Sequence, residues 1–162
     1  MPNARRFALS ALLVMGSAAL AGIIAVLSTP RYAGARVPPA DELPWPATVA
    51  AAARRPPFVL LYVDSRCAHC SRAATLVDSI VAAKGVGAII VTSDRSSDAG
   101  AYRRKLGLRL PLTLDSSSTL MHAIGTRAVP TLVLFHADGS RQLIVGFTHD
   151  APYRHALAEF PR

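Results

Sequence analysis

The apolar run Phe58-Val59-Leu60-Leu61-Tyr62-Val63 leads within four residues into Cys67-Ala68-His69-Cys70, and the chain contains no other cysteine. A run this short and this continuous reads as a strand covered on both faces, since alternation is required only where one face meets water. After Cys67 the apolar period changes: Ala73, Leu76, Val77, Ile80 and Val81 fall on one stripe of a helix. A doubly covered strand followed by an amphipathic helix demands a layered α/β arrangement, with both cysteines at the junction.

The rest of the chain continues this pattern. Gly85 and Gly87 end the first helix, and Val86 to Val91 reads as a second buried strand. A polar helix is expected over Ser96 to Leu106, and a short strand interrupted by Pro111 over Leu108 to Leu114. A further helix runs from Ser116 to Ile124, with Ser116 to Ser118 as cap candidates. Thr131 to Phe135 is a third strong strand. Asp138-Gly139 signals a hairpin, and Gln142 to Phe147 should return antiparallel. Thr148 or Asp150 then caps a last helix that buries Tyr153, Ala156, Leu157 and Phe160. The order predicts an α/β fold whose central mixed β-sheet is flanked by helices.

Hydrophobic residues make up 51% of the 162-residue chain, and much of that excess is concentrated near the start. Phe7 to Leu27 holds no charged residue, enough for a helix to cross a hydrocarbon core of roughly 30 Å. Arg5 and Arg6 precede it and favour a cytoplasmic N-terminus, which puts the remainder outside the cytoplasm. The run exceeds a usual signal-peptide core and so favours a retained anchor. Ala33-Gly34-Ala35 keeps a cleaved signal and a soluble periplasmic product open. The expected organisation is a signal-anchor or transmembrane segment over 1–28, a Pro-rich linker over 29–46, and one α/β domain over 47–162. The linker expectation rests on five prolines between Thr29 and Pro46, which favour an extended tether.

The formal net charge is +8, yet the basic residues are dispersed; Arg103-Arg104-Lys105 is the one basic run inside the domain region. It lacks the aromatic interleaving of a nucleic-acid groove and reads as a solvated helix face, so no nucleic-acid partner is expected.

The chemistry lies in the two cysteines. Amides and the dipole at a helix N-terminus stabilise an anion, which favours a thiolate on the first sulfur. Cys67 is therefore expected to be the exposed nucleophile. Cys70, one turn in, resolves the mixed disulfide or forms the Cys67–Cys70 disulfide. A zinc site needs four ligands, and no second cysteine pair is present. A purely structural disulfide is disfavoured, because so short a loop removes little unfolded-chain entropy.

Strand, Cys67-Ala68-His69-Cys70, helix, and Val129-Pro130 before a strand and hairpin together resemble the thioredoxin superfamily. The 60 residues from Cys70 to Pro130 are similar to the membrane-anchored TlpA/ResA-like branch, which inserts a strand and a helix there. The resemblance spans Pro57 to Phe160. It implies a cis Pro130 beside the motif, a Val129 backbone that pairs with an extended substrate segment, and a Gly146 that lets substrate approach. It also implies that no cofactor is needed. The chain departs from the family at two places: Arg66 replaces the usual tryptophan, and Leu61 replaces a buried aspartate that assists proton transfer. Asp64 or His69 is then a candidate substitute. The Ala68-His69 dipeptide resembles the oxidising DsbA-type motif, so His69 and Arg66 are expected to tune the thiolate and the redox potential.

These readings point to a thiol–disulfide oxidoreductase that exchanges disulfides with exported cysteine-containing proteins and is recycled by a redox partner protein. The alternative is a non-enzymatic envelope metallochaperone, or a haem or copper apoprotein-binding module, that uses the same thiols as soft ligands. A peroxidase is disfavoured, since no Pro-x-x-x-Thr-x-x-Cys motif is present.

Overall fold

The computed structural model describes residues 37–161. The expected membrane segment over 1–28 lies outside the described residues, and no described helix is long and apolar enough to cross a membrane. After a 3-10 turn at Ala51–Arg54 come β1 (Phe58–Val63), α1 (Ala68–Lys84), β2 (Gly87–Thr92) and α2 (Ser96–Leu106). The chain continues through β3 (Leu112–Leu114), α3 (Thr119–Ile124), β4 (Thr131–Phe135), β5 (Arg141–Val145) and α4 (Ala151–Glu159).

The five strands form one sheet in the order β3-β2-β1-β4-β5. β1 pairs parallel with β2, and β2 with β3, whereas the β1–β4 and β4–β5 pairs are antiparallel. The mixed sheet expected from the apolar pattern is present, with β1 at its centre. All six β1 side chains are buried, and the pleat divides them between two cores. Val59, Leu61 and Val63 face α1, Tyr102 of α2, and Tyr153 and Leu157 of α4. Phe58, Leu60 and Tyr62 face Leu120, Met121 and Ile124 of α3. Phe58 and Phe135 stack across β1 and β4 with ring centroids 4.5 Å apart. Truncating a fully buried side chain such as Leu60 to alanine would cost about 2–5 kcal/mol.

The second core also takes in Val37, Ala40, Leu43 and Val49. The fold therefore takes in residues as far as ten positions before the expected boundary at 47, and part of the stretch expected to be an extended tether is packed. Its prolines break helices without preventing burial of the apolar residues between them. Trp45 Nε1 donates to the Ala40 carbonyl and its ring lies 5.7 Å from Phe58, which clamps the segment to the sheet.

Two cap expectations are corrected. Ser118 occupies the N-cap of α3 but makes no side-chain cap bond, and its φ of 55° turns the chain in the left-handed region. The buried Asp115 carboxylate takes that role, accepting from the Leu120 and Met121 amides at 3.0 and 3.2 Å. Asp150 precedes α4 without capping it and instead meets Arg72 and Arg154, each at 3.4 Å. β3 is also shorter than expected. Asp78 on α1 accepts the Arg109 and Leu110 amides at 2.9 and 2.8 Å, which holds that stretch as loop until Leu112.

Candidate active site

The carboxyl ends of β1 and β2 build the site. Asp94, just beyond β2, accepts from the Ser65 amide at 2.7 Å and the Thr92 hydroxyl at 2.8 Å. This fixes the loop that leaves β1. The Cys67 amide then donates to the Asp64 carbonyl at 3.1 Å, closing a tight turn into α1. Cys67 is the N-cap residue, in extended conformation, and its sulfur accepts from the Cys70 amide at 3.3 Å. The sulfur thus sits on the unsatisfied amides and positive dipole end of a 17-residue helix, where negative charge is stabilised.

Both cysteines are free, Cys67 half-buried and Cys70 fully buried. Burial, followed by the hydrogen bond to Cys67 and the charge on it, pushes the Cys70 thiol far above its ordinary range. The two sulfurs are therefore inequivalent: one is accessible at the helix end, the other kept protonated in the first core.

The Val129–Pro130 bond is cis, as the family resemblance implies. Val129 lies beside the motif, with its carbonyl oxygen 4.0 Å from Cys67 Sγ. No described backbone group hydrogen-bonds to Val129, so its peptide edge is open beside the sulfur. Pro130 is buried, and its carbonyl accepts from the Gly146 amide at 2.8 Å. Gly146 has φ +83°, and a Cβ added there would meet nothing within 4 Å, so backbone conformation rather than crowding calls for glycine.

The two expected tuning residues are placed less closely. Arg66 is held in a bidentate pair with Asp64, and its side chain is otherwise exposed. Its guanidinium thus faces a carboxylate rather than a sulfur. That bond, foremost, also holds the Asp64 carboxyl below its usual range, so Asp64 is poorly suited to accept a proton from Cys70. His69 is exposed on the first turn of α1 and makes no hydrogen bond to either thiol. Leu61, at the position of the family's buried aspartate, is fully buried.

Sequence reasoning missed Tyr102 and Tyr153 as neighbours of the site. Both share the first core with Cys70, and the Tyr153 hydroxyl has no hydrogen-bond partner among the described residues. Burial, then the charges of Cys70 and Cys67, raises the Tyr153 phenol, and burial foremost pushes Tyr102 up to about 12. Helical periodicity marked Tyr153 as buried without naming what it sits near, and the polar helix expected over Ser96 to Leu106 gave no signal for Tyr102.

No protein-family model matches the chain, and no curated protein matches its sequence. Solved structures do. A secreted Mycobacterium tuberculosis disulfide oxidoreductase, described as homologous to E. coli DsbE, is 16% identical with a TM-score of 0.57, covering 62% of this chain and 79% of that one. The exposed lipoprotein thioredoxin Etrx1 of Streptococcus pneumoniae strain TIGR4 is 22% identical with a TM-score of 0.54, covering 64% and 84%. The peroxidoxin BcpB of M. tuberculosis is 18% identical with a TM-score of 0.53, covering 62% and 75%. At such identities the likeness establishes the fold, and a fold shared with a peroxidoxin leaves the reaction to be read from the site. Between β2 and β4 the chain carries α2, β3 and α3, so the inserted strand and helix implied by its long Cys70-to-Pro130 separation are present. Sheet order, connectivity and these matches together identify the chain as a thioredoxin-fold protein.

Proposed function

We propose that this protein is a thiol–disulfide oxidoreductase that exchanges disulfides with exported cysteine-containing proteins. The observation that carries the reading is the inequality of the two sulfurs: Cys67 accessible at a helix N-terminus beside the open Val129 edge, Cys70 buried one turn behind. In the reductive direction the Cys67 thiolate attacks one sulfur of a partner disulfide and releases the other as a thiolate. Cys70 then gives up its proton, its sulfur attacks Cys67, and the reduced partner leaves the oxidised protein behind. The reverse sequence oxidises a dithiol partner, and a redox partner protein restores the starting state.

The Val129 edge would align an extended segment of the partner by backbone hydrogen bonds. Proton transfer to and from Cys70 then runs without a buried carboxylate, since Leu61 stands in that place. His69 and Arg66 act on the thiolate through their fields alone. An extracytoplasmic, membrane-anchored setting is supported by the uncharged Phe7–Leu27 run and by the descriptions of two structural relatives as secreted and as an exposed lipoprotein. The test is an equilibrium titration against glutathione, with each redox form separated after acid quenching. A single two-electron transition between the dithiol and the Cys67–Cys70 disulfide supports the reading, and its potential sets the direction of electron flow. A persistent glutathione adduct on Cys67 that Cys70 never displaces would overturn it.

A further inference from the structure

At the sheet end remote from Cys67 lies a cavity of about 410 Å³. The β1–β4 register places it: Tyr62 pairs with Thr131 at the cysteine end, and Phe58 pairs with Phe135 at the other. Phe135 lines the cavity, four strand residues away, or roughly 13 Å at the usual rise. Its volume falls within the ~300–1,000 Å³ of small-ligand sites.

Arg54, Arg55 and Arg141 line this cavity, against the single carboxylate of Asp41. None of the three arginines has a carboxylate partner among the described residues; Arg141 donates to the Gly139 carbonyl alone. Beside Arg54 the 3-10 turn exposes Ala51, Ala52 and Ala53. Small apolar side chains next to unpaired guanidinium groups match the chemistry of an interface between lipid headgroups and water.

The chain path points the same way. Pro39 and Ala40 form one wall of the cavity. The ten steps from Leu27 to Val37 reach at most about 36 Å even if fully extended. A membrane-embedded Phe7–Leu27 run therefore keeps Val37 within that reach of the bilayer surface. Disulfide exchange has no use for the three arginines, which lie at the opposite end of the sheet from both sulfurs.

We infer that this cavity and its arginines seat the phosphate headgroups of an anionic bilayer, docking the domain with Cys67 turned away from the membrane. The inference rests on the membrane-anchored reading above, and the test separates the two. Trp45 is the sole tryptophan and bonds to Ala40 on the cavity wall, so its fluorescence reports on this face alone. The full chain is mixed with nanodiscs of phosphatidylglycerol or of phosphatidylcholine, each carrying lipid brominated near the headgroup. Co-elution reads the anchor, and Trp45 quenching reads the docking.

The expected result is co-elution with both discs but strong quenching only in phosphatidylglycerol. Arg54→Ala and Arg55→Ala should each weaken the docked state about five-fold. Screening should abolish it at about 1 M salt, where the Debye length is ~3 Å. Both variants should retain exchange activity toward a soluble disulfide peptide, which confirms that they fold. Co-elution with phosphatidylglycerol discs alone, with quenching, sustains the docking and removes the anchor. Equal quenching in both discs overturns the inference. So does co-elution without quenching, which leaves the anchor standing, or equal quenching relief by soluble glycerol phosphate. Absence from both discs overturns docking and anchor together.

Discussion

The sulfur of Cys67 lies 4.0 Å from the carbonyl oxygen of Val129, a residue 62 positions further along the chain. The central sheet makes this meeting possible. β1 ends four residues before Cys67 and β4 begins two residues after Val129, and the two strands are antiparallel with Tyr62 opposite Thr131. Sheet register thus delivers an accessible sulfur and an open peptide edge to one place.

The unequal burial of the two sulfurs has a direct chemical consequence. In the reduced protein at neutral pH, brief exposure to iodoacetamide should modify Cys67 and leave Cys70 unmodified, as read by peptide mass. Cys70→Ser should accumulate mixed disulfides with partner proteins, whereas Cys67→Ser should trap none. Equal labelling of both sites would contradict the division of labour.

His69 makes no hydrogen bond to either thiol, so any influence on Cys67 passes through solvent. Replacing it with alanine should lower the reduction potential by less than ~30 mV, equivalent to about 1.4 kcal/mol for a two-electron couple. Because the effect is electrostatic and exposed, it should shrink as ionic strength rises. A larger, salt-independent shift would mean that His69 acts through a bond or through the backbone of α1.

Asp115 is the buried polar hub of the second core. It accepts from Tyr62 Oη at 2.9 Å, from the Thr119 hydroxyl at 3.2 Å and from two amides of α3. Removing it orphans a buried phenol and two helix-end amides together. Asp115→Ala should cost about 2–4 kcal/mol in urea unfolding, and Tyr62→Phe about 1 kcal/mol. Thiol reactivity in the Tyr62→Phe variant should be unchanged, since the hub lies across the sheet from Cys70.

The layers and the site were legible in the sequence because both depend on local pattern. Continuous apolar runs named β1 and β4, the helical stripe named α1, and the Cys67-to-Cys70 spacing named the chemistry. What escaped depends on partners distant in sequence. Asp115 caps α3 in place of Ser118, and Asp78 shortens β3, because a buried carboxylate takes whatever amides tertiary packing presents. Prolines between 37 and 46 masked the burial of Val37, Ala40 and Leu43. Arg66 looked like a free cation beside a thiol, whereas the turn hands it to Asp64 two residues earlier.

Alkaline pH should separate the redox forms. The Cys70 thiol is raised in the folded state, so the folded protein holds a proton that the unfolded chain releases above its ordinary thiol pKa of about 8.5. Stability of the reduced protein should therefore fall as pH rises beyond that point. Oxidised protein and Cys70→Ser should lack this first decline. All forms should lose stability above about pH 10, where Tyr62, Tyr102 and Tyr153, each raised mainly by burial, are ionised only when unfolded. Urea titrations at stepped pH would show both phases, and a pH-independent difference between redox forms would count against this assignment.

The proposed function requires that Cys67 and Cys70 act as a catalytic pair. It is tested most directly by turnover of a fluorogenic disulfide peptide, with glutathione in excess and the protein well below the peptide concentration. Many turnovers per protein molecule are expected, abolished in Cys67→Ser and slowed in Cys70→Ser, where glutathione alone must clear the covalent adduct on Cys67. Turnover no faster than glutathione alone, or full activity in Cys67→Ser, would contradict it.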